Sequence, residues 1–455
     1  EACGIPAHVD MNPILLKPES DSRSQVIVQG NVFATREARA YFARNRDSEL
    51  FRAVERSYTR LASQYEVMVI EGAGSAAEVN LRDRDLVNWP VVEMADAKVI
   101  LVGDIDRGGV FAQIIGTLDL ITPEERARVC GIVINKFRGD AALFVDGVRF
   151  LRERTGIPVL GVLPFLRDLA LDQEDSLDVD IRRQVAFQPD RINIAVVLLP
   201  HMSNFTDFNA LADEPDVALR YAATPEDAGG ADAILLPGSK TTLADLAYLR
   251  GKGFESLLRG HVHRGGEVVG VCGGYQMLGR QIADPDAVES GGSGEGLGLL
   301  QVTTVLMREK ITEQVEARAL HLGGTTAPPA RGYLIHMGRT DRHGHRPCFE
   351  LERKEPSGSG HRGVAERDDA WLDGAVSDDG LVWGTYIHGL FDEPLCRRAW
   401  LNRLRIRKGL PAAEMEWSQR VNRQRSGAMD RWADHVEQYL DLTPIRALFR
   451  QGGTV

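Results

Sequence analysis

Apolar and polar positions along the chain form two alternating series separated by a charged stretch. In the first, four continuous apolar runs, at residues 67–70, 99–102, 131–134 and 159–162, have strand length and no polar face. Such runs suit parallel strands buried on both sides. Helical periodicity fills the intervals, at 48–63, 110–118 and 144–155. Strand–helix–strand alternation of this kind predicts a parallel sheet covered by helices. Residues 169–190 (LALDQEDSLDVDIRRQVAFQPD) are charged and irregular and read as a linker. The alternation restarts with runs at 192–199, 233–236 and 268–271, each leading into Pro or Cys. It continues through 382–388 and closes in helices to residue 448. Glycine-rich stretches at 291–298 and 356–363 read as loops, and no internal repeat is evident. The pattern predicts an α/β protein of two domains, residues 1–168 and 191–455.

Composition narrows the class. The 455 residues are 43% apolar and 26% charged, ordinary for a folded chain with room for more than one core. Lys plus Arg number 54 against 65 Asp plus Glu, a formal charge of −11 that gives no reason to expect nucleic acid as a partner. The longest apolar stretches, such as 194–199, fall far short of the ~18 residues of a membrane span. The opening residues EACGIPAHVDMNP show neither part of a signal peptide. Five cysteines without a C-x-x-C pair fit a reduced compartment, so a cytoplasmic enzyme with no membrane partner is expected.

The most informative local signal is Gly270-Val271-Cys272-Gly273-Gly274. An apolar strand runs into a glycine-flanked cysteine, and YQMLGRQIA then reads as a helix. A sharp strand-to-helix turn of this kind presents its central side chain at the top of a sheet. The helix N-terminus favours a thiolate, and a neighbouring His would favour it more. Cys272 is therefore the candidate nucleophile and the Gly273 amide a candidate oxyanion donor. Losing one such donor typically costs about 2.7–4 kcal/mol of transition-state stabilisation. A buried cysteine at an ordinary turn is the plainer alternative. Two features weigh against it. His388 ends an apolar run in LVWGTYIHGLFD, where a base for Cys272 belongs, and Pro237-Gly238-Ser239 ends another run in a tight loop that offers a second amide at Gly238. His261, His263, His343, His345 and His361 sit in charged or glycine-rich contexts and read as surface residues, whereas His201 and His336 remain open. Cys3, Cys130, Cys348 and Cys396 show no elbow, and Cys130 reads as core.

In the first domain, three strand ends carry polar residues beside glycines: VMVIEGAGS with Glu71, ILVGDIDRGGVFA with Asp104 and Asp106, and GIVINKFRGD with Asn135. A strand-end carboxylate can hold Mg²⁺ near phosphates, and an Asn amide can bond an adenine edge. Singly, each is weak, because such residues are common at strand ends.

GVCGGYQMLG, LPGSK and GTYIHGLFD together resemble the glutamine amidotransferase domain of the cobyric acid synthases, a class I, triad-type domain. HVDMNPILLKP, EGAGSAAEVNLR, DIDRGGVFAQIIGTL, GIVINKFRGD, GVLPFLRDLALDQEDSL and LPHMSNFTDFNAL follow in that family's order, so the likeness runs from residue 3 to about 441. The resemblance implies an N-terminal domain of the dethiobiotin-synthetase-like P-loop NTPase type. It uses ATP and Mg²⁺ to activate carboxylates of adenosylcobyrinic acid a,c-diamide, and ammonia from glutamine amidates positions b, d, e and g. On this likeness Cys272 is the nucleophile, His388 the general acid/base, Glu71 a Mg²⁺ ligand and Asn135 an adenine contact. Lys17, Asp104, Asp106 and Arg107 become candidates for the substrate or phosphate region. Leu390 stands where many triad enzymes carry a carboxylate two residues after the histidine; the subfamily also lacks it, so a Cys–His dyad is expected.

Two departures qualify the likeness. No G-x-x-x-x-G-K-[ST] phosphate loop occurs anywhere in the sequence. The segment carrying it is expected to precede Glu1, and the chain as written is expected to bind ATP poorly and to leave sheet edges unpaired. In GYLIHMG, Leu334 replaces the family's usual Glu and cannot make its hydrogen bonds. Cobyrinic acid a,c-diamide synthase, the peptidoglycan-amidating glutaminase system, and a remnant retaining only glutaminase or binding activity are the alternatives.

Overall fold

The computed structural model describes residues 5, 7–18, 23–37, 49–166, 169, 183–289, 291–322, 328–352 and 372–451. The chain forms two compact units, one of Glu1–Ala170 with Ser426–Val455 and one of Leu171–Arg425. Among the described residues no helix is long and apolar enough to cross a membrane.

The first unit opens with a three-stranded antiparallel sheet, Ile14–Pro18, Arg23–Val28 and Asn31–Glu37 in that order. The apolar pattern had pointed to a parallel sheet alone. Helix Glu49–Ala62 lays Leu50 and Phe51 against Val26 of this sheet. The buried Asp10 carboxylate accepts from Ser57 Oγ at 2.6 Å and Arg60 Nε at 2.8 Å, which ties the HVDMNP segment to the helix. Arg60 holds that carboxyl well below the usual carboxylate range, even against burial.

The expected parallel sheet follows as Val99–Asp104, Val129–Phe137 and Val159–Pro164. Helices Val110–Leu120 and Val145–Thr155 pack Ile114, Leu118 and Leu151 against Ile132 and Ile134. The run at 67–70 is not a strand. It pairs with no described strand and Val69 is 91% exposed, because apolar character alone does not make a ladder without a neighbouring edge.

The end of the chain corrects the expected boundary. Trp432, Val436, Leu440 and Ile445 pack onto Val133, Leu160 and Leu163 of the parallel sheet. Trp432 and Val436 lie one turn apart on helix Met415–Tyr439 and Leu440 follows its end, so one stripe covers that face. The Asp441 amide donates to Leu160 O at 2.8 Å, and His435 Nε2 donates to Pro164 O at 2.9 Å. The last thirty residues therefore belong with the first unit, not the second. Of the expected linker, residues 170–182 lie outside the described residues. Its end joins the second unit: Phe187 packs on that core, with the Arg220 guanidinium 4.5 Å over its ring.

The second unit is built on a six-stranded sheet in the order Ala375–Val376, Val382–Thr385, Glu267–Val271, Ala233–Leu236, Ile192–Val197, Val217–Ala222. Neighbours pair in parallel except the first, antiparallel edge. Its central strands are buried throughout, as their unbroken apolar runs require. A second sheet is dominated by the long hairpin Thr303–Ala319 and Pro329–Asp341. Residues 292–295, read as loop, form an edge strand of that sheet against Gln281–Asp284. The second expected loop, 356–363, lies outside the described residues.

The apolar run at 382–388 is split between the sheets. Val382–Thr385 pairs with Glu267–Val271, and Ile387–His388 pairs with Tyr333 and Leu334 of the hairpin. Buried Asp373 holds the jog: it accepts from Thr385 Oγ1 and from the Tyr386 amide at 3.2 Å. Burial pushes its carboxyl up to about 6, against these donors. His388 is thereby aimed across the ends of the central strands.

Candidate active site

Cys272 follows the fully buried strand Glu267–Val271 and precedes helix Gly273–Leu278. Its backbone sits at φ +52°, ψ −110°, a conformation costly for a non-glycine residue and typical of strained functional turns. The Cys272 amide donates to Thr385 O at 2.8 Å, and its carbonyl accepts from Gln276 N at 3.1 Å, so the strain is clamped on both sides. Glycines are obligatory around it for lack of space. A Cβ on Gly274 would lie 2.0 Å from Leu236 O, and one on Gly270 would lie 2.6 Å from the Gly274 backbone. The thiol is 8% exposed and donates to Ile335 O at 3.6 Å.

His388 is brought beside Cys272, near enough for the sulfur to favour the charged imidazole. The other face of the relay is a residue that sequence reasoning did not assign. Asp207 Oδ2 lies 2.7 Å from His388 Nδ1, and Asp207 Oδ1 accepts from the Gly389 amide at 2.9 Å. Asp207 sits on the one-turn helix Phe205–Phe208, whose Phe208 is anchored in the core. Burial alone would lower the charge on His388. The Asp207 carboxylate and the Cys272 sulfur outweigh it and push the imidazole up to about 10. Leu390, the position where many triad enzymes carry the acid, is packed in the core with Phe391. The carboxylate therefore arrives from 181 residues upstream, in the LPHMSNFTDF segment. A hydrogen-bonding residue beside a buried apolar anchor was the available signal, but nothing in the sequence said which histidine it served.

Gly238 and Ser239 form a two-residue antiparallel pair with Ser203 and Met202. This loop borders both catalytic candidates. A Cβ on Gly238 would lie 3.4 Å from His388 Cε1, and one on Gly273 would lie 2.8 Å from the Ser239 amide nitrogen. Tyr333 stacks on the His388 ring at 5.4 Å, and burial pushes its hydroxyl up to about 12. Leu334, next in the strand, pairs with Ile387 and lies in the apolar core, so the departure from the usual Glu falls among apolar neighbours. His336 stacks on Tyr386 at 3.8 Å, donates through Nδ1 to Gly338 O at 2.8 Å and is pushed down to about 4 by burial. Fully buried Arg397 braces the other side, donating to Asp392 O at 3.3 Å just past His388 and to Glu214 Oε1 at 2.7 Å. His261 corrects a surface expectation: it is buried, and its imidazole is held down by desolvation. Cys130 is half-buried, less enclosed than a core residue. His361 lies outside the described residues.

In the first unit, Asp104 and Asn135 are register partners at the ends of adjacent parallel strands. Asp104 pairs with Lys136 at 2.8 Å and Asp106 with Arg138 at 2.6 Å, which holds both carboxyls below their ordinary range against a desolvation that is strongest at Asp104. Arg107 adds to the field on Asp104. Asn135 Oδ1 accepts from the Lys136 amide at 2.8 Å. These four candidates form one cluster, to which Lys136 and Arg138 are additions. Glu71 lies in an exposed loop, where the Asn88 amide donates to Ala73 O at 2.9 Å. Lys17 lies in the separate antiparallel sheet. Among the described residues no three His, Cys, Asp or Glu side chains gather as a metal site. Magnesium in nucleotide sites asks less, taking one or two carboxylates with phosphates and waters, and Glu71, Asp104 and Asp106 have the hard oxygen donors it prefers.

Two known families match the chain. The CobB/CobQ-like glutamine amidotransferase domain family matches residues 193–395, and the AAA domain family matches residues 21–173. A cobyric acid synthase from Syntrophobacter fumaroxidans is 44% identical over 98% of this chain and 86% of its own length. One from Citrobacter koseri is 46% identical over 99% and 87%, and one from Sorangium cellulosum is 47% identical over 97% and 85%. Among solved structures, PurLQS from Thermotoga maritima aligns at 16% identity with a TM-score of 0.33, over 52% of this chain and 99% of its own, too distant to add to the argument.

Proposed function

The chain belongs to the cobyric acid synthase family, and from that membership we propose that it amidates the b, d, e and g carboxylates of adenosylcobyrinic acid a,c-diamide with glutamine as nitrogen donor. The observation that carries the reading is the buried line from the Cys272 sulfur through His388 to Asp207. A thiolate beside an imidazolium is a competent nucleophile for an amide carbon. The Cys272 sulfur attacks the side-chain carbonyl of glutamine, and the oxygen takes up negative charge against the Gly273 amide and the Gly238 loop. Collapse of that adduct breaks the C–N bond, with the proton on His388 passing to the leaving nitrogen as ammonia departs. The now neutral imidazole then takes a proton from water, whose oxygen attacks the thioester and releases glutamate. Asp207 holds the ring in the tautomer and orientation both steps need.

Carboxylate activation falls to the unit of residues 1–170 and 426–455, and glutamine hydrolysis to residues 171–425. In the first unit Asn135 contacts the adenine edge, and Asp104, Asp106 and Arg107 border the phosphates or the corrin carboxylate. Lys17 is a further candidate for that region. Magnesium, held by Glu71, would neutralise phosphate charge when bound with ATP. The ammonia displaces phosphate from the activated carboxyl.

The test uses the chain with adenosylcobyrinic acid a,c-diamide, Mg-ATP and glutamine, following the corrinoid by mass spectrometry and glutamate in the same tube. Glutamate release is the expected result, with stepwise amidation slow in keeping with the weak ATP binding expected of a chain without a phosphate loop. Glutamate release without amidation would restrict the function to the glutaminase, and the absence of both products would overturn the reading.

A further inference from the structure

Asp245 is an acid at a position where the helix Thr242–Gly251 otherwise turns Leu246 and Leu249 into the core. Burying a carboxylate is costly unless each oxygen is satisfied. Both are. Oδ2 accepts from the Ser239 hydroxyl at 2.7 Å, and Oδ1 lies 2.8 Å from Nδ1 of His201. Ser239 Oγ in turn accepts from the Thr241 amide at 3.0 Å. The two partners come from opposite sides of one small ribbon: Ser239 pairs with Met202, Gly238 pairs with Ser203, and His201, just before the Met202–Ser203 strand, accepts at its O from the Lys240 amide at 3.0 Å. Asp245 thus bonds one strand of the ribbon that borders the Cys272 elbow and the residue leading into the other.

The ribbon's placement is what the chemistry depends on. Its Gly238 lies against the His388 ring and its Ser239 amide against Gly273. An amide serves a developing oxyanion only within hydrogen-bond reach, 2.7–3.1 Å from where the charge will sit. A ribbon of two residue pairs has little backbone bonding of its own to fix such a distance.

Resting on the glutaminase reading above, we infer that Asp245 is a positioning residue which, through the Ser239 hydroxyl and the His201 ring, fixes the oxyanion loop for the Cys272 reaction. Sequence alone gave Asp245 no role, because an acid on an amphipathic helix reads as a solvated position.

The experiment compares the full chain with Ser239→Ala, Asp245→Asn and the double variant, by steady-state glutamate release and by the rate at which iodoacetamide alkylates Cys272, located by peptide mass. Alkylation builds no oxyanion, so it reports the thiolate, its access and the fold without the loop. Removing an oxyanion donor outright costs 10²–10³ in kcat, so loosening one is expected to cost about 10–100-fold in each single variant. KM should stay within about threefold and alkylation within about twofold of the parent. If the two residues form one clamp, the double variant should lose no more than the weaker single, since coupled groups are not additive. Unchanged kcat, a parallel fall in kcat and alkylation, or losses that multiply would each overturn the inference. Absence of glutamate release from the parent chain, with Cys272 still alkylated, would instead overturn the glutaminase reading on which it rests.

Discussion

Two strand ends carry polar chemistry in this molecule, and they are built to opposite standards. At the elbow after Glu267–Val271, His388 is 1% exposed, its carboxylate partner is buried, and glycines close the space to backbone contact. At the end of Val99–Asp104, the Asp104 and Asp106 side chains remain 32% and 39% exposed and pair with Lys136 and Arg138, which are more exposed still. The first arrangement fixes charge in a low-dielectric site before substrate arrives, where each interaction counts most. The second holds its charges in exchangeable surface pairs worth ~0–1 kcal/mol, which a phosphate or a metal ion can replace at small cost. A buried relay suits bond-making at one atom. An exposed ion-pair cluster suits a ligand that brings its own charge.

That contrast can be broken by substitution. The largest effect should come from Cys272→Ala, which is expected to lower glutamate release by at least about ten-thousandfold, as loss of a triad nucleophile does. Its melting temperature should stay near that of the parent. Asp207→Asn, measured in the same assay, should cost about a thousandfold in kcat, because the ring loses the acceptor that sets its tautomer. A loss of less than tenfold would make the relay a dyad. Gly274→Ala tests the packing itself: a Cβ 2.0 Å from Leu236 O must displace backbone, for about 1–3 kcal/mol in a denaturant titration. Asp104→Asn and Lys136→Ala mark the other end of the comparison. Each should change stability by under about 1 kcal/mol and leave glutamate release intact, while lowering ATP-dependent amidation of the corrinoid. A stability loss there as large as that of Gly274→Ala would erase the distinction between the two strand ends.

The central sheet of the second unit was legible because its strands are apolar on both faces, and the elbow because a glycine-flanked cysteine at a strand end stood together with His388 and the Gly238 loop at the ends of other apolar runs. Asp207 was not legible. It reaches His388 through the tertiary approach of a one-turn helix to a strand end 181 residues away, and no local period encodes such a contact. The same holds for Asp373 and Asp245, acids buried among apolar neighbours and satisfied by specific donors. In the first unit, the run at 67–70 has the composition of a strand without a partner edge, and the antiparallel sheet at its start is short and mixed in pattern. Helices at the end of the chain were legible, but which sheet they would cover was set by the face left open on Val133, Leu160 and Leu163.

The measurement that bears most directly on the relay is the titration of His388, followed through imidazole NMR signals assigned by comparison with a His388→Gln variant. A folded value raised from the ordinary 6.5 to about 10 means that the imidazolium stabilises the fold fully below pH 6.5, and that this contribution fades as pH rises through about 10. The account predicts one imidazole that stays protonated to about pH 10 in the parent and drops toward 6.5 in Asp207→Asn. A His388 that titrates near 6.5 in both proteins would contradict it.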